Sequence, residues 1–243
     1  MPSGRKTRPE SKAERQTAIA STALGIAEDT GQHQWVIHLK SFLAYLAAVQ
    51  GDEERFRRLA TDALSGTVPM QGALWVDWGQ GMLDLGSGRV DAALTRLEAL
   101  TQGPGWYHVS AMRCVPDLVE AAVRSGEPGR AHHAFARYER WARQPFTRAL
   151  AERCRALLGS DADAEERYLA ALEAGGPPFE HARTSLQYGE WLRRSRRRGP
   201  PPGICNSRWR PSSAWARGPG PTAPELSWKR PARRPRAPRP AGS

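Results

Sequence analysis

An all-α fold, built as a succession of stacked helical hairpins, is predicted by three features of the 243-residue sequence. Ala and Leu recur at helical spacing over most of the first 198 residues, with charged residues set between them. Alternating runs of Val, Ile and Thr that would mark strands are nearly absent. Helical stretches are punctuated at regular intervals by short turns rich in Gly, Ser and Asp.

Taken in order, residues 1–16 are polar and predicted to be disordered. Thr17–Asp29 is an Ala-rich helix stopped at Thr30-Gly31. Trp35–Gln50 follows, with Trp35, Leu39, Phe42, Leu43, Leu46 and Val49 on one apolar stripe, and Gly51 closes it. Asp52 is an N-cap for Glu53–Leu64, which turns Phe56, Leu59 and Leu64 inward. Leu74–Leu85 turns at Gly-Ser-Gly into Val90–Leu100. Pro116–Val123 turns at Ser-Gly-Glu-Pro-Gly into Ala131–Trp141, and Pro145–Leu158 turns at Gly-Ser-Asp-Ala-Asp into Glu165–Glu173. Phe179–Arg198 is the last helix, with Phe179, Ala182, Leu186, Gly189 and Leu192 as its apolar stripe.

Equivalent positions after four of these turns, Arg55, Ala92, Ala131 and Glu165, are separated by 37, 39 and 34 residues. That is close to the period of about 34 residues of tetratricopeptide hairpins, each of which leans on its neighbour for a core. The sequence therefore predicts a tetratricopeptide-like solenoid over residues 17–198. At Gly199 the pattern stops. Residues 199–243 carry eleven of the twenty prolines and are predicted to be a disordered Pro/Arg-rich tail.

The charge of +11 would suggest a nucleic-acid binder until it is located. Residues 199–243 hold nine basic side chains against Glu225, a net of +8, which leaves +3 for residues 1–198. The basic signal thus belongs to the tail, and any DNA affinity it confers is expected to be salt-sensitive and independent of sequence. Cys114, Cys154 and Cys205 are too few and too scattered for a disulfide framework, which favours a reducing, cytoplasmic setting with the first two buried. No secretory signal and no apolar run of about 18 residues is found.

No catalytic, metal or cofactor site is predicted. There is no phosphate-binding loop, and Gly79, Gly81, Gly86 and Gly88 suit turns between repeats. The adjacent pair His132-His133 points in directions about 100° apart and is expected on the surface. Neither His33 and His38 nor His108 and His181 falls in a zinc-protease context. Asp52-Glu53-Glu54 and Glu165-Glu166 are expected at helix starts, where they complement the dipole. Trp35, Trp75, Trp78, Trp106, Trp141 and Trp191 are expected to pack between helices, and Arg193–Arg198 to form a solvated helix end.

FEHARTSLQYGEWLRRSRRR (Phe179–Arg198) resembles the segment near the end of the helical-repeat region in large LuxR-type transcriptional regulators, the MalT-like, ATP-binding class. CVPDLVEAAVRSGEPGRAHHAFARYERWA (Cys114–Ala142) and GRVDAALTRLEAL (Gly88–Leu100) are similar to repeats of that family. The resemblance implies repeats that bind an effector or protein partner on their concave face. In such regulators a nucleotide-binding module precedes the repeats and a helix-turn-helix domain follows them. Neither motif is found in this chain, so specific DNA binding is not expected of it. Shifted by one base, the codons of Ser212–Arg234 permit FERLGAGPWADRARAELEATGET, a helix, a Gly turn and a second helix. A frame change near Arg198–Gly199 is therefore expected to have replaced the last repeat. The alternative is a stand-alone repeat adaptor that binds a protein.

Overall fold

The computed structural model describes residues 12–65 and 70–197. The tail predicted to be disordered lies outside these residues, as does most of the N-terminal stretch. Among the described residues every regular element is helical. In chain order they are α1 (Lys12–Asp29), α2 (His33–Val49), α3 (Glu53–Leu64), α4 (Met70–Gly86), α5 (Val90–Gln102), α6 (Val109–Arg113), α7 (Val115–Ser125), α8 (His132–Trp141), α9 (Pro145–Leu158), α10 (Asp161–Glu173) and α11 (Pro178–Arg197). A 3-10 turn, Pro128–Ala131, leads into α8.

Turn chemistry fixes most of the boundaries. The Asp52 carboxylate accepts from the Arg55 amide at 3.0 Å, the predicted cap of α3. At the end of α2, Gly51 takes φ 75°, a left-handed conformation that side chains resist. There the Gly51 amide donates to the Ala48 carbonyl and the Asp52 amide to that of Ala47, the paired bonds of a Schellman motif. Gly126 closes α7 in the same way at φ 84°.

Some boundaries differ from expectation. The first helix starts at Lys12 rather than Thr17. Helix α10 starts at Asp161 rather than Glu165, because the acidic Asp-Ala-Asp read as turn forms its first helical turn instead. The short α6 was not expected. Its His108 side chain caps the helix by accepting from the Ser110 amide at 3.2 Å.

Consecutive helices pack against one another: α1 on α2, α2 on α3 and α4, α4 on α5, α5 on α7, α7 on α8 and α9, α9 on α10, and α10 on α11. The main core is centred on α7, whose Val115, Leu118, Val119, Ala121 and Ala122 are fully buried among Leu94, Leu97 and Tyr138. A second cluster joins α2, α3 and α4 around Phe56 and Val76. A third joins α9, α10 and α11 around Tyr168 and Trp191. Gly79 and Gly81 lie inside α4, not in a turn. A Cβ on Gly79 would stand 2.9 Å from the Phe56 ring and 3.3 Å from the Tyr45 backbone, so this glycine sets how closely α4 approaches α2 and α3.

Several residues expected to face inward do not. Trp35 is 57% exposed and Leu64 is exposed, because α2 and α3 bury the small Ala44, Ala47, Ala60 and Ala63 instead. Trp106 and Trp141 are also exposed, whereas Trp75, Trp78 and Trp191 are buried as expected. Trp106 lies under the Arg137 guanidinium at 5.0 Å, a cation–π contact, and Arg137 also donates to the Thr101 carbonyl at 2.6 Å. These contacts tie the connection between α5 and α6 to α8.

Candidate functional site

The largest departure from the predicted pattern is in α11. The stripe read as its inner face is not buried: Ala182 is exposed, Leu186 is 41% exposed, and Phe179, Gly189 and Leu192 are only partly covered. The buried positions are Thr184, Gln187 and Trp191, with Glu180 and Arg183 beside them, a row at i, i+3/4 spacing. The chain thus turns a polar face inward, and the reason is what it meets there.

Helix α7 carries one polar stripe, Asp117, Glu120 and Arg124 at i, i+3, i+7, and the two acids of that stripe are buried because other helices cover it. The Arg183 guanidinium reaches across from α11 and divides between them, Nη1 at 2.5 Å from Asp117 and Nη2 at 2.5 Å from Glu120. The Gln187 amide donates to Glu120 at 2.6 Å. From α9, the fully buried Arg153 donates to Glu180 at 2.7 Å. Two further groups hold the α7 acids from outside α11. The Trp78 indole of α4 donates to Asp117 at 2.7 Å, and Arg124 donates to Glu120 at 3.3 Å.

An aromatic wall flanks this cluster. Tyr45 of α2 lies 4.4 Å from the Trp78 ring, and Trp75 stacks on Trp78 at 5.4 Å with Phe42 edge-on to Trp75 at 5.1 Å. Burial pushes the Tyr45 hydroxyl well above its ordinary pKa, and the carboxylates of Asp117 and Glu180 push it further the same way.

The electrostatics separate the carboxylates. Burial acts to raise Glu120, but Arg183, then Arg153 and Arg124, outweigh it and hold this carboxyl below its usual range. Glu180 is likewise held low, burial being outweighed by Arg153 and Arg183. At Asp117 burial wins, and with the neighbouring Glu180 it raises the pKa despite Arg183. Arg183 itself is raised well above its ordinary value, as the three carboxylates around it outweigh its own burial.

The arrangement is incompletely satisfied. Buried Nε and Nη2 of Arg153 and buried Oε1 of Gln187 have no hydrogen-bond partner, and neither has Nε1 of Trp75. Chemically the cluster is a guanidinium clamp: two carboxylates fixed on one helix, a planar cation between them, and the Phe179 ring 5.6 Å from that cation.

Sequence reasoning missed this cluster. Its signal was the polar stripe Asp117, Glu120 and Arg124 on a helix whose other faces, Val115, Leu118, Val119, Ala121 and Ala122, are wholly apolar and so had to lie deep in the core.

The residues weighed in the sequence are distributed elsewhere. His132 and His133 are both exposed at the start of α8. His38 is held below its ordinary pKa by partial burial and by the nearby His108. Cys114 and Cys154 are fully buried free thiols, as expected. Asp52, Glu53 and Glu54 do sit at the start of α3, but Glu165 and Glu166 lie within α10, where Glu165 accepts from the Tyr188 hydroxyl at 2.8 Å. Arg193 and Arg194 are exposed near the end of α11.

An open cleft of about 810 Å³ lies between α4 and α5, lined by Ala73, Ala92 and Ala99, with an Asp77–Arg96 ion pair of 3.2 Å at its margin. Among the described residues no group of three acids, histidines or cysteines is placed to hold a metal ion, and no helix is long and apolar enough to cross a membrane. Comparison with known protein families, curated proteins and solved structures returns no match to this chain.

Proposed function

We propose that residues 17–198 form a tetratricopeptide-like scaffold from a LuxR-type transcriptional regulator, whose role is to bind an effector or protein partner. The observation that carries the proposal is the Phe179–Arg198 segment, which resembles the end of that family's repeat region. Among the described residues every element is helical, and the packing of consecutive helices neighbour on neighbour supports a repeat scaffold. So does the character of the buried charges. Asp117, Glu120 and Glu180 are engaged by arginines, an arrangement suited to recognition rather than to acid–base chemistry. In this reading the scaffold is not an enzyme, works in the cytoplasm, and does not itself read a DNA sequence.

The coding DNA tests the link to the family. Its codons for residues 212–234, read one base earlier, are expected to spell FERLGAGPWADRARAELEATGET, followed by a helix-turn-helix. A sequence that does not would leave the stand-alone adaptor. A gel shift across salt tests the DNA statement: binding is expected to fade as salt rises, whatever the sequence of the probe. Sequence-selective binding that survives high salt would refute it.

A further inference from the structure

We propose that α11 is a displaceable strap seated in an arginine-receiving clamp on α7, and that the same clamp takes an arginine-bearing helix from a partner. Three observations lead there. The clamp is preorganised without α11, because Asp117 keeps the Trp78 indole and Glu120 keeps Arg124 as donors from α4 and α7. The hold of α11 on α7 and α9 is polar, through Glu180, Arg183, Thr184 and Gln187, while its aromatic packing is confined to the end near α10, where Tyr188 and Trp191 meet Tyr168.

The docked state also leaves buried groups unpaired. Arg153, fully buried, has Nε and Nη2 without partners, and Gln187, 7% exposed, has Oε1 without one. Each such group carries a desolvation cost that no bond offsets. A helix that keeps an arginine and a glutamine at i and i+4 and adds an acceptor for Arg153 would satisfy the site better than α11 does. The strap then gates the clamp, since the clamp is open to a partner only when Arg183 has left it.

The partner half rests on the reading of the chain as a binding scaffold; the strap half stands on geometry alone. Hydrogen exchange of the full wild-type chain tests the strap. Amides of α11 are expected to exchange through a local opening ahead of those of α7 and α9, and Glu120→Gln to speed α11 by about tenfold or more, the loss of one charge-assisted bond. Exchange of α11 only together with α7 would overturn the strap.

Binding of a fluorescent peptide of residues 178–197 tests the clamp. The full chain carrying Arg183→Ala, checked for helicity by circular dichroism, is expected to bind this peptide about tenfold or more tightly than a peptide carrying the same substitution. The wild-type chain, its clamp already filled, should bind the unmodified peptide more weakly than the variant chain. Equal binding of the two peptides would overturn the clamp. Neither result bears on the coding-DNA test, so a failure here is distinguishable from a failure of the regulator assignment.

Discussion

Arg153 gives the sharpest test of the buried charge cluster. Its side chain is fully buried, and its ion-pair partner is Glu180, at 2.7 Å and itself mostly buried. Arg153→Ala strips Glu180 of that partner and leaves it to Arg183 at 3.7 Å. Breaking a buried pair by removing one member costs about 3–5 kcal/mol, because the charge left behind is uncompensated. Replacing both members by neutral groups of similar shape is near neutral. The double substitution Arg153→Met with Glu180→Gln is therefore expected within about 1 kcal/mol of wild type. Urea unfolding followed by far-UV circular dichroism measures this. For a slope of about 2 kcal/mol per molar, Arg153→Ala should lower the midpoint by roughly 1.5–2.5 M, and the double variant should recover most of the loss. A loss below about 1 kcal/mol for Arg153→Ala, the value of an exposed pair, would refute the argument. So would a double variant as unstable as the single one.

Three other perturbations probe the fold and its charges. Gly79→Ala gains about 1 kcal/mol of helix propensity, yet its methyl would meet the Phe56 ring and the Tyr45 backbone, so a net destabilisation of about 1–2 kcal/mol is expected in the same urea assay; unchanged or raised stability would show that α4 has room to move. Burial pushes the Cys114 thiol up, and pushes Cys154 up to about 12 with Arg153 only partly opposing it. Peptide mapping after maleimide treatment at pH 8 should find both unmodified in the native chain and both labelled in urea. Glu120 and Glu180 are held below their ordinary value, so their stabilisation is full above about pH 4.3, the unfolded value, and is lost as pH falls through the lower folded one. Asp117, raised, acts in the opposite sense: its ionised form costs stability above its folded pKa, and protonation on acidification relieves that cost. Unfolding free energy measured from pH 3 to 7 should fall below about pH 4, with a shallower slope in Glu120→Gln; identical slopes would count against the Arg183–Glu120 pair.

The helices and their turns were legible because local chemistry decides them. Asp52 caps α3, and Pro145 opens α9 with Gly159 just past its end, by rules that operate within a few residues, so the limits of α3 and α9 were read to the residue. What could not be read was which face each helix buries. The rule that apolar residues go inward selects Phe179, Ala182, Leu186, Gly189 and Leu192 for α11, and it fails because the face decided for α11 lies on α7, some 60 residues earlier. Asp117 and Glu120 are largely shut off from water, so the helix that covers them must supply a cation and donors, and on α11 Arg183 and Gln187 do so.

The consequence is a division of labour along α11 that propensity alone does not show. Apolar burial is tolerant of register, since one leucine packs much like another, whereas Arg183 must fall between two particular carboxylates with Gln187 one turn on. A shift of α11 by one residue rotates the row by about 100° and replaces Arg183 and Gln187 by Ala182 and Leu186 in one direction, or by Thr184 and Tyr188 in the other, leaving Asp117 and Glu120 without a cation. The buried ionic face therefore fixes where α11 sits. The leftover apolar stripe, which sequence pattern assigned to the core, is then held at the surface with Leu186 at its middle.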